Sequence, residues 1–436
     1  MAHKIISSRF DVKENHTLTT YAESGGYSSL AKIFGMKPDE VTEEVKKSGL
    51  RGRGGAGFPT GMKWSFVPRN IDKPKYLCVN ADEGEPGTFK DRLILEFDPH
   101  ALIEGIIACC YAVGIHTAYV YIRGEYDAQI ARFSGAVREA YESGYLGKSV
   151  KGSNGFALDI VVHRGAGAYI CGEETGLIES LEGKKGQPRP KPPFPAVIGV
   201  FGCPTVVNNV ETLAALPWII NNGADAYAAI GTEKSKGTML FSISGMVERP
   251  GVYEGEFGVN LWDFIEKSTG GVKGAKKLKA VIPGGSSAAI LTAEEARGVK
   301  LDYESIAAAG SMVGSGAIMV LDEDTCVVKA LEVVLRFYAH ESCGQCPPCR
   351  EGTYWLYEIV HRIREGKGRP EDIDLMLSIC PDMMGRTVCV LADSAAIPAA
   401  SYIKKFRHEF QAYIDRAHQP ERRLHPGGVN LESRAL

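Results

Sequence analysis

The sequence predicts an α/β fold: a parallel-sheet unit first, then a small α+β unit, then a helical C-terminal region. Three observations carry this. Short apolar runs alternate with amphipathic stretches up to about residue 238, a pattern that favours parallel strands crossed by helices. The pattern changes near Lys236, beyond which two strand-like runs flank a turn. From Val327 onward the periodicity is helical, apart from one glycine- and proline-bearing break.

The elements follow in order. Residues up to about Lys47 read as short helices, and Val41–Lys47 carries helical charge pairing. Arg51 to Gly61 is glycine-rich, and Lys75–Val79 is a short apolar strand. A helix starts near His100, Ala118–Ile122 is a second strand, Ala128 to Ser143 is an amphipathic helix, and Ala157–Val162 is a third strand. Met239–Ser244 and Gly251–Tyr253 are strands around the turn Glu248–Gly251; a helix over Asn260–Ser268 and a strand over Lys279–Ile282 follow. Val327–His340 is a helix, and the rest is helical to about Arg416, broken at Arg364–Pro370. The expected division is a helical and glycine-rich segment at 1–70 packed on the next unit, an α/β domain at 71–238, a small α+β domain at 239–325 and a helical domain at 326–436.

Composition narrows the function. A chain of 436 residues has material for two to four domains and a large core. The net charge of -3, without a Lys/Arg-rich block, argues against nucleic acid as a ligand. Eleven cysteines, an odd number, and a start without a charged-then-apolar leader predict a reducing, cytoplasmic setting. The most apolar stretch, Ala101 to Ile122, is interrupted by Glu104 and His116 and reads as a buried helix plus strand. Membrane association is therefore expected only through partner proteins.

The most informative motif is His340-Glu-Ser-Cys-Gly-Gln-Cys-Pro-Pro-Cys-Arg350, which sets Cys343, Cys346 and Cys349 at C-x₂-C-x₂-C spacing. Three thiolates so spaced converge on one locus, and a distant fourth closes a [4Fe–4S] site. Zinc sites more often pair two separate C-x₂-C knuckles or mix cysteine with histidine. Disulfides among cysteines this close would be cramped and would leave one unpaired. Cys380 and Cys389 both stand where a fourth ligand could, and spacing does not choose between them. Cys78, Cys109, Cys110, Cys171, Cys203 and Cys326 lie in apolar surroundings and read as packing residues.

An iron–sulfur cluster moves single electrons, so the chain needs an electron source. Three loops could hold one. Arg51-Gly-Arg-Gly-Gly-Ala-Gly-Phe-Pro-Thr-Gly-Met-Lys63 matches G-x-G-x-x-G by letter, but a charged helix precedes it and Pro59 follows. That excludes the standard dinucleotide turn and leaves a phosphate nest with Arg51, Arg53 and Lys63 around it. Asn80-Ala-Asp-Glu-Gly-Glu-Pro-Gly87 follows a strand, where open α/β sheets bind ligands; Asp82, Glu83 and Glu85 accept hydrogen bonds from ribose or ring N–H groups. The third loop runs from His163 to Thr175, with glycines for close approach, Tyr169 to cover a ring, and Gly172 opening a helix. Lys191 and Phe194 lie in a stiff proline-rich segment, and Asn208, Asn209 and Thr212 at a helix start. Each loop alone fits plainer roles: a flexible turn, a solvated acidic loop, or residues favoured by a helix dipole. Together, ahead of a cluster motif, they suit a flavin fed by a hydride donor such as NADH.

These motifs resemble the NADH-oxidising, flavin-bearing subunit of respiratory complex I (NADH:quinone oxidoreductase), over roughly Gly26 to Asp415. The resemblance implies a Rossmann-like flavin-binding domain, a ubiquitin-like β-grasp domain and a C-terminal helical bundle holding a [4Fe–4S] cluster. It implies FMN contacts at Gly52, Arg53, Gly54, Lys63, Asn80, Asp82, Tyr169, Gly172, Glu173, Asn208, Asn209 and Thr212. It implies NADH contacts at Phe58, Phe66, Glu85, Glu174, Lys191 and Phe194, with Phe58 and Phe66 stacking on adenine and Glu85 disfavouring the 2′-phosphate of NADPH. The metal ligands it implies are Cys343, Cys346, Cys349 and, from the segment Gly385–Asp393, Cys389. No side chain is implied as a catalytic acid or base. The implied partners are a thioredoxin-like [2Fe–2S] subunit and a large multi-cluster iron–sulfur subunit, in a complex at the inner face of the plasma membrane. Flavin subunits of NAD-coupled hydrogenases and formate dehydrogenases share these motifs and give the alternative reading; a zinc-bearing scaffold without flavin is the non-enzymatic one.

Overall fold

A computed structural model describes residues 3–417; the last nineteen residues of the expected helical domain lie outside the described residues. Strands β1 (Tyr76–Ala81), β2 (Thr117–Ile122), β3 (Asp159–Arg164) and β4 (Thr205–Asn209) form a parallel sheet in the order β3-β2-β1-β4. Side chains alternate between its faces, as the strand period requires. Leu77, Val79, Ala118, Val120 and Val206 face one core, shared with the helix Pro99–Val113 and the N-terminal helices. Cys78, Tyr121 and Val207 face a second core, which continues into the C-terminal helices. Both faces of β1 are covered, and Leu77, Cys78 and Val79 are buried in succession, whereas the edge strand β3 alternates, with Ile160 buried and Asp159 and Val161 exposed.

The strand order puts a topological switch between β1 and β4. The chain steps outward from β1 to β2 and β3, then returns to the other side of β1. Open parallel sheets bind ligands in the crevice outside the carboxyl ends of such a strand pair. Strand β4 is a departure from the sequence expectation, which read Val207–Thr212 only as a helix start. Thr205-Val-Val-Asn-Asn is too short to show a period, and the asparagines read as a cap. Asn209 is in fact both the last strand residue and the cap of the next helix: its side chain accepts the Glu211 N–H.

Glu104, the charge that interrupts the apolar run, is buried and fully used. It accepts the main-chain N–H groups of Tyr27 (2.8 Å) and Ser29 (3.0 Å) and the hydroxyls of Tyr21 and Ser29, tying the N-terminal segment to the helix Pro99–Val113. At the next residue, Gly105 admits the helix Val210–Ala214 to contact: a Cβ there would lie 2.0 Å from the Leu213 carbonyl oxygen. Backbone cannot yield as a side-chain tip can. Gly105→Ala is therefore expected to destabilise the protein by about 1–3 kcal/mol, read as a lower urea midpoint. The parent midpoint in the variant would show that these helices part freely.

The second sheet is mixed. β5 (Thr238–Gly245), β6 (Gly251–Glu256), β7 (Leu278–Ile282), β8 (Leu291–Thr292) and β9 (Ala317–Asp322) run in the order β6-β5-β9-β7-β8. β5 and β9 are parallel, the other pairs antiparallel. The helix Leu261–Thr269 buries Leu261 and Ile265 against this sheet, in the β-grasp manner. Helices Val327–Glu341, Pro347–Arg364, Asp372–Met383 and Leu391–Ala417 complete the fold. Among the described residues no helix is long and apolar enough to cross a membrane.

Candidate functional site: a glycine-lined crevice beside a cysteine cluster

The three sequence loops meet at the carboxyl ends of β1 and β4. From β1, Asn80 donates Nδ2–H to the Gly172 carbonyl (2.8 Å) and accepts the Asp82 N–H on Oδ1 (3.1 Å). Asp82 is 2% exposed, and its Oδ2 has no hydrogen-bond partner among the described residues. Burial, with Glu125 and Glu341 adding to it and Arg123 opposing, pushes the Asp82 carboxyl up to about 7. The walls around this oxygen are glycine: a Cβ at Gly172 would stand 3.3 Å from it and one at Gly84 3.2 Å. An orphaned acceptor in a groove too narrow for side chains suits a flat ring with an N–H donor.

From β4, Asn208 accepts the Trp64 indole N–H (2.9 Å), and Asn209 donates to the Asp91 carboxylate (2.6 Å). Thr212 is fully buried and accepts the Arg53 main-chain N–H (2.9 Å). The glycine-rich loop closes on itself through Gly52 N–H to Phe58 O and Thr60 N–H to Leu50 O (both 2.9 Å). It leans on β4 at Gly54, where a Cβ would be 3.0 Å from that of Asn209. The helix Pro38–Ser48 precedes this loop, as expected, so it is no Rossmann turn.

The three cations expected around this loop each have partners within the chain. Arg51 pairs with Glu304 (2.7 Å) and lies over the Tyr303 ring (4.0 Å). The Arg53 guanidinium is buried, with Nη2 on Tyr227 Oη (3.0 Å) and the Lys236 carbonyl (2.8 Å), the Phe257 ring beneath it, and Nη1 without a partner among the described residues. Lys63 lies on the short helix Thr60–Ser65, with Nζ on the Val207 carbonyl (2.9 Å) and on Glu174 (3.2 Å). Sequence spacing cannot tell an arginine that reaches into a groove from one that anchors the loop behind it.

Glu173 caps the helix Glu174–Leu181, accepting the Thr175 and Gly176 N–H groups (2.8 and 2.9 Å). Lys191 bridges Glu173 and Glu174, at 2.9 Å to each. Burial opposes ionisation of Glu174, but Lys63 and Lys191 outweigh it and hold this carboxyl below its ordinary range. Phe58, Phe66 and Phe194 are exposed, and Phe194 lies three residues beyond Lys191. The Phe58 and Phe66 rings are 6.1 Å apart at 49°, in mutual contact, so a base sandwiched between them requires the rings to rotate apart. Glu85 is heavily engaged, by Tyr169 Oη (2.7 Å) and by Ser287 N–H and Oγ (2.8 and 2.7 Å). Tyr169 does not lie open as a cover; it packs edge-on against Phe337 and Tyr338.

The cysteines form the adjacent locus. Cys346 begins the helix Pro347–Arg364 and Cys349 lies in its first turn, at the positive end of the helix dipole. The Val388 N–H donates to Cys346 Sγ (3.4 Å), bringing the Cys389 loop onto the same spot. Burial, with Cys349 and Cys343 close by, pushes the Cys389 thiol up to about 12. Cys380 is elsewhere, bonded to the Met376 carbonyl (3.2 Å) inside its own helix. Among the described residues no three His, Cys, Asp or Glu side chains converge as a single metal ion requires. The six remaining cysteines are packing residues as expected, except that Cys326 also caps the helix Val327–Glu341.

Crevice and cysteines share walls. Gln187 donates to the Cys343 carbonyl (3.3 Å), and Glu341, two residues before Cys343, accepts the Tyr169 N–H (3.0 Å). Trp64 and Glu341 were missed from sequence, although each neighbours a chosen residue.

A nucleotide crevice at a sheet switch point, walled against a four-cysteine locus, defines a flavin- and iron–sulfur-dependent electron-transfer oxidoreductase. Residues 45–218 match the family model described as the Nuo51 FMN-binding domain, 239–320 an SLBB domain, and 329–413 the NADH-ubiquinone oxidoreductase-F iron-sulfur binding region. Similar proteins include the second NADH-quinone oxidoreductase F-subunit of Rhizobium meliloti, 51% identical over 96% of this chain and 100% of that protein. The NADH-quinone oxidoreductase F-subunit of Mycobacterium tuberculosis is 52% identical, over 94% of this chain and 93% of that protein. A solved NAD⁺-reducing [NiFe]-hydrogenase chain aligns with a TM-score of 0.82 at 36% identity, over 96% of this chain and 67% of that one. The chain belongs to the family of NADH-quinone oxidoreductase F-subunits. It is an NADH-oxidising electron-input subunit that uses FMN and a [4Fe–4S] cluster and acts within a multi-subunit enzyme.

Proposed function

We propose that FMN lies in the crevice against Gly52, Arg53, Gly54, Lys63, Asn80, Asp82, Tyr169, Gly172, Glu173, Asn208, Asn209 and Thr212. Asp82 offers its unpaired Oδ2 to a ring donor. NADH binds with its base at the exposed rings of Phe58, Phe66 and Phe194, and with Glu85, Glu174 and Lys191 at its ribose and phosphate edges. When bound, FMN accepts the hydride of NADH and releases single electrons to the cluster. The chain's own part is positioning: the glycines allow face-to-face approach, the buried walls exclude water, and Glu173 with Lys191 holds the start of the flanking helix. Cys343, Cys346, Cys349 and Cys389 hold the cluster. The domain division is that of the sequence reading, with the last unit extending past the described residues.

The observation that carries this reading is the shared wall, Tyr169 to Glu341 and Gln187 to Cys343, which sets the crevice beside the cysteines. The onward partners are a thioredoxin-like [2Fe–2S] subunit and a large multi-cluster subunit, in a complex at the inner face of the plasma membrane. The hydrogenase likeness supports a second endpoint, which the copurifying subunits would separate. The test is an anaerobic NADH titration of the holoprotein with flavin and iron assays. Bleaching of the flavin band with about four irons per chain is the expected result; a colourless, zinc-containing protein that does not respond after reconstitution would overturn it.

A further inference from the structure

Glu85 is held from the β-grasp unit. Its Oε1 accepts Ser287 N–H (2.8 Å), Ser287 Oγ–H (2.7 Å) and, more weakly, Ser286 Oγ–H (3.3 Å). Among the described residues its Oε2 accepts only Tyr169 Oη–H (2.7 Å). A carboxylate offers about four lone-pair positions. Oε1 is therefore saturated, and the one remaining acceptor position is on Oε2, turned by Tyr169. The rest of this loop is tied the same way: Thr88 Oγ1 meets Ser315 Oγ (2.5 Å), Phe89 N–H donates to Ser242 Oγ (3.0 Å), and Ser286 N–H donates to the Pro86 carbonyl (3.3 Å). The bracing loop runs through Gly284 and Gly285, and Gly285 comes so close that a Cβ there would lie 2.6 Å from Glu85. Ser286 Oγ also meets Tyr338 Oη (2.8 Å), fixing the serine loop to the cluster-bearing helices.

We infer that Ser287 is a specificity-determining positioning residue: it aims the single free lone pair of Glu85 at a ribose hydroxyl and thereby sets the preference for a nucleotide without a 2′-phosphate. This gives the β-grasp unit a task in substrate selection. The inference rests on the assignment of Glu85 to the NADH site. With the Oγ donor gone, the carboxylate turns more freely, so the ribose contact weakens and a 2′-phosphate is rejected less strongly.

The experiment measures binding of ADP-ribose and 2′-phospho-ADP-ribose to the holoprotein by calorimetry, beside steady-state kinetics with NADH and NADPH. Losing a hydrogen bond to a charged group weakens the contact it supports about tenfold. Ser287→Ala is expected to lower the preference for ADP-ribose about tenfold and to raise the KM for NADH with kcat within about twofold. Ser287→Thr, which keeps the hydroxyl, is expected to retain the preference. Ser287→Cys, nearly isosteric with a weak donor, repeats the test should the alanine variant melt early or lose FMN. If Glu85→Ala abolishes the preference and the Ala and Cys variants at 287 leave it intact, the inference is overturned and the Glu85 assignment stands. If Glu85→Ala leaves the preference unchanged, the assignment itself is wrong.

Discussion

Replacing Cys389 by serine is expected to abolish the iron–sulfur cluster, whereas Cys380→Ser leaves it intact. The two cysteines are nine positions apart on either side of a helix end, and their surroundings differ completely. Cys389 sits in a tight turn where Thr387 Oγ1 donates to its carbonyl (2.7 Å) and the neighbouring Val388 N–H points at Cys346 Sγ. Cys380 is 1% exposed, with its thiol bonded to its own helix. A serine at 380 keeps a donor for the Met376 carbonyl and costs little more than a change of packing. A serine at 389 removes one of four thiolates, and a cube held by three is open to loss. The check is iron and acid-labile sulfide per chain with the low-temperature paramagnetic spectrum of the NADH-reduced protein. About four irons in Cys389→Ser and none in Cys380→Ser would reverse the assignment. Flavin content in the Cys389 variant is expected to stay near parental, because its crevice contacts do not include that turn.

Much of this arrangement was legible because its signals are local. The C-x₂-C-x₂-C run, the strand that feeds Asn80–Gly87, and the cap at Asn209 each lie within a few residues of what they do. What was hidden depends on tertiary contact. Arg51 and Arg53 stand in a loop whose letters suit phosphate, yet their partners Glu304, Tyr227 and Lys236 come from distant parts of the chain. β4 was hidden because a five-residue edge strand owes its conformation to its parallel neighbour β1, not to its own pattern. The serine loop had no signal at all, since Ser287 meets Glu85 across 202 positions.

The Asp82→Asn variant is expected to be more stable than the parent and poorer at holding FMN. The sign follows from burial. An aspartate whose carboxyl moves from 3.8 in the unfolded chain to about 7 when folded keeps a proton that the unfolded chain has released. Its destabilising contribution is absent below about pH 4, grows as pH rises through the interval between those values, and is complete above about pH 7. The full effect is on the order of 4 kcal/mol, because Asp82 is 2% exposed and solvent screens it little. The amide cannot ionise, so urea midpoints of the apoproteins should coincide near pH 4 and separate by pH 8, with the variant higher. Coincident midpoints at pH 8 would mean that the carboxylate is compensated after all. Function explains why the acid stays: its free Oδ2 is the acceptor that a ring N–H of FMN would satisfy. The ionised form binds better, so the parent's FMN affinity should rise with pH through about 7. The variant's affinity, read from quenching of flavin fluorescence, should lie about tenfold lower at pH 8 and stay flat. An affinity that rises equally in both proteins would place the titrating group elsewhere in the crevice.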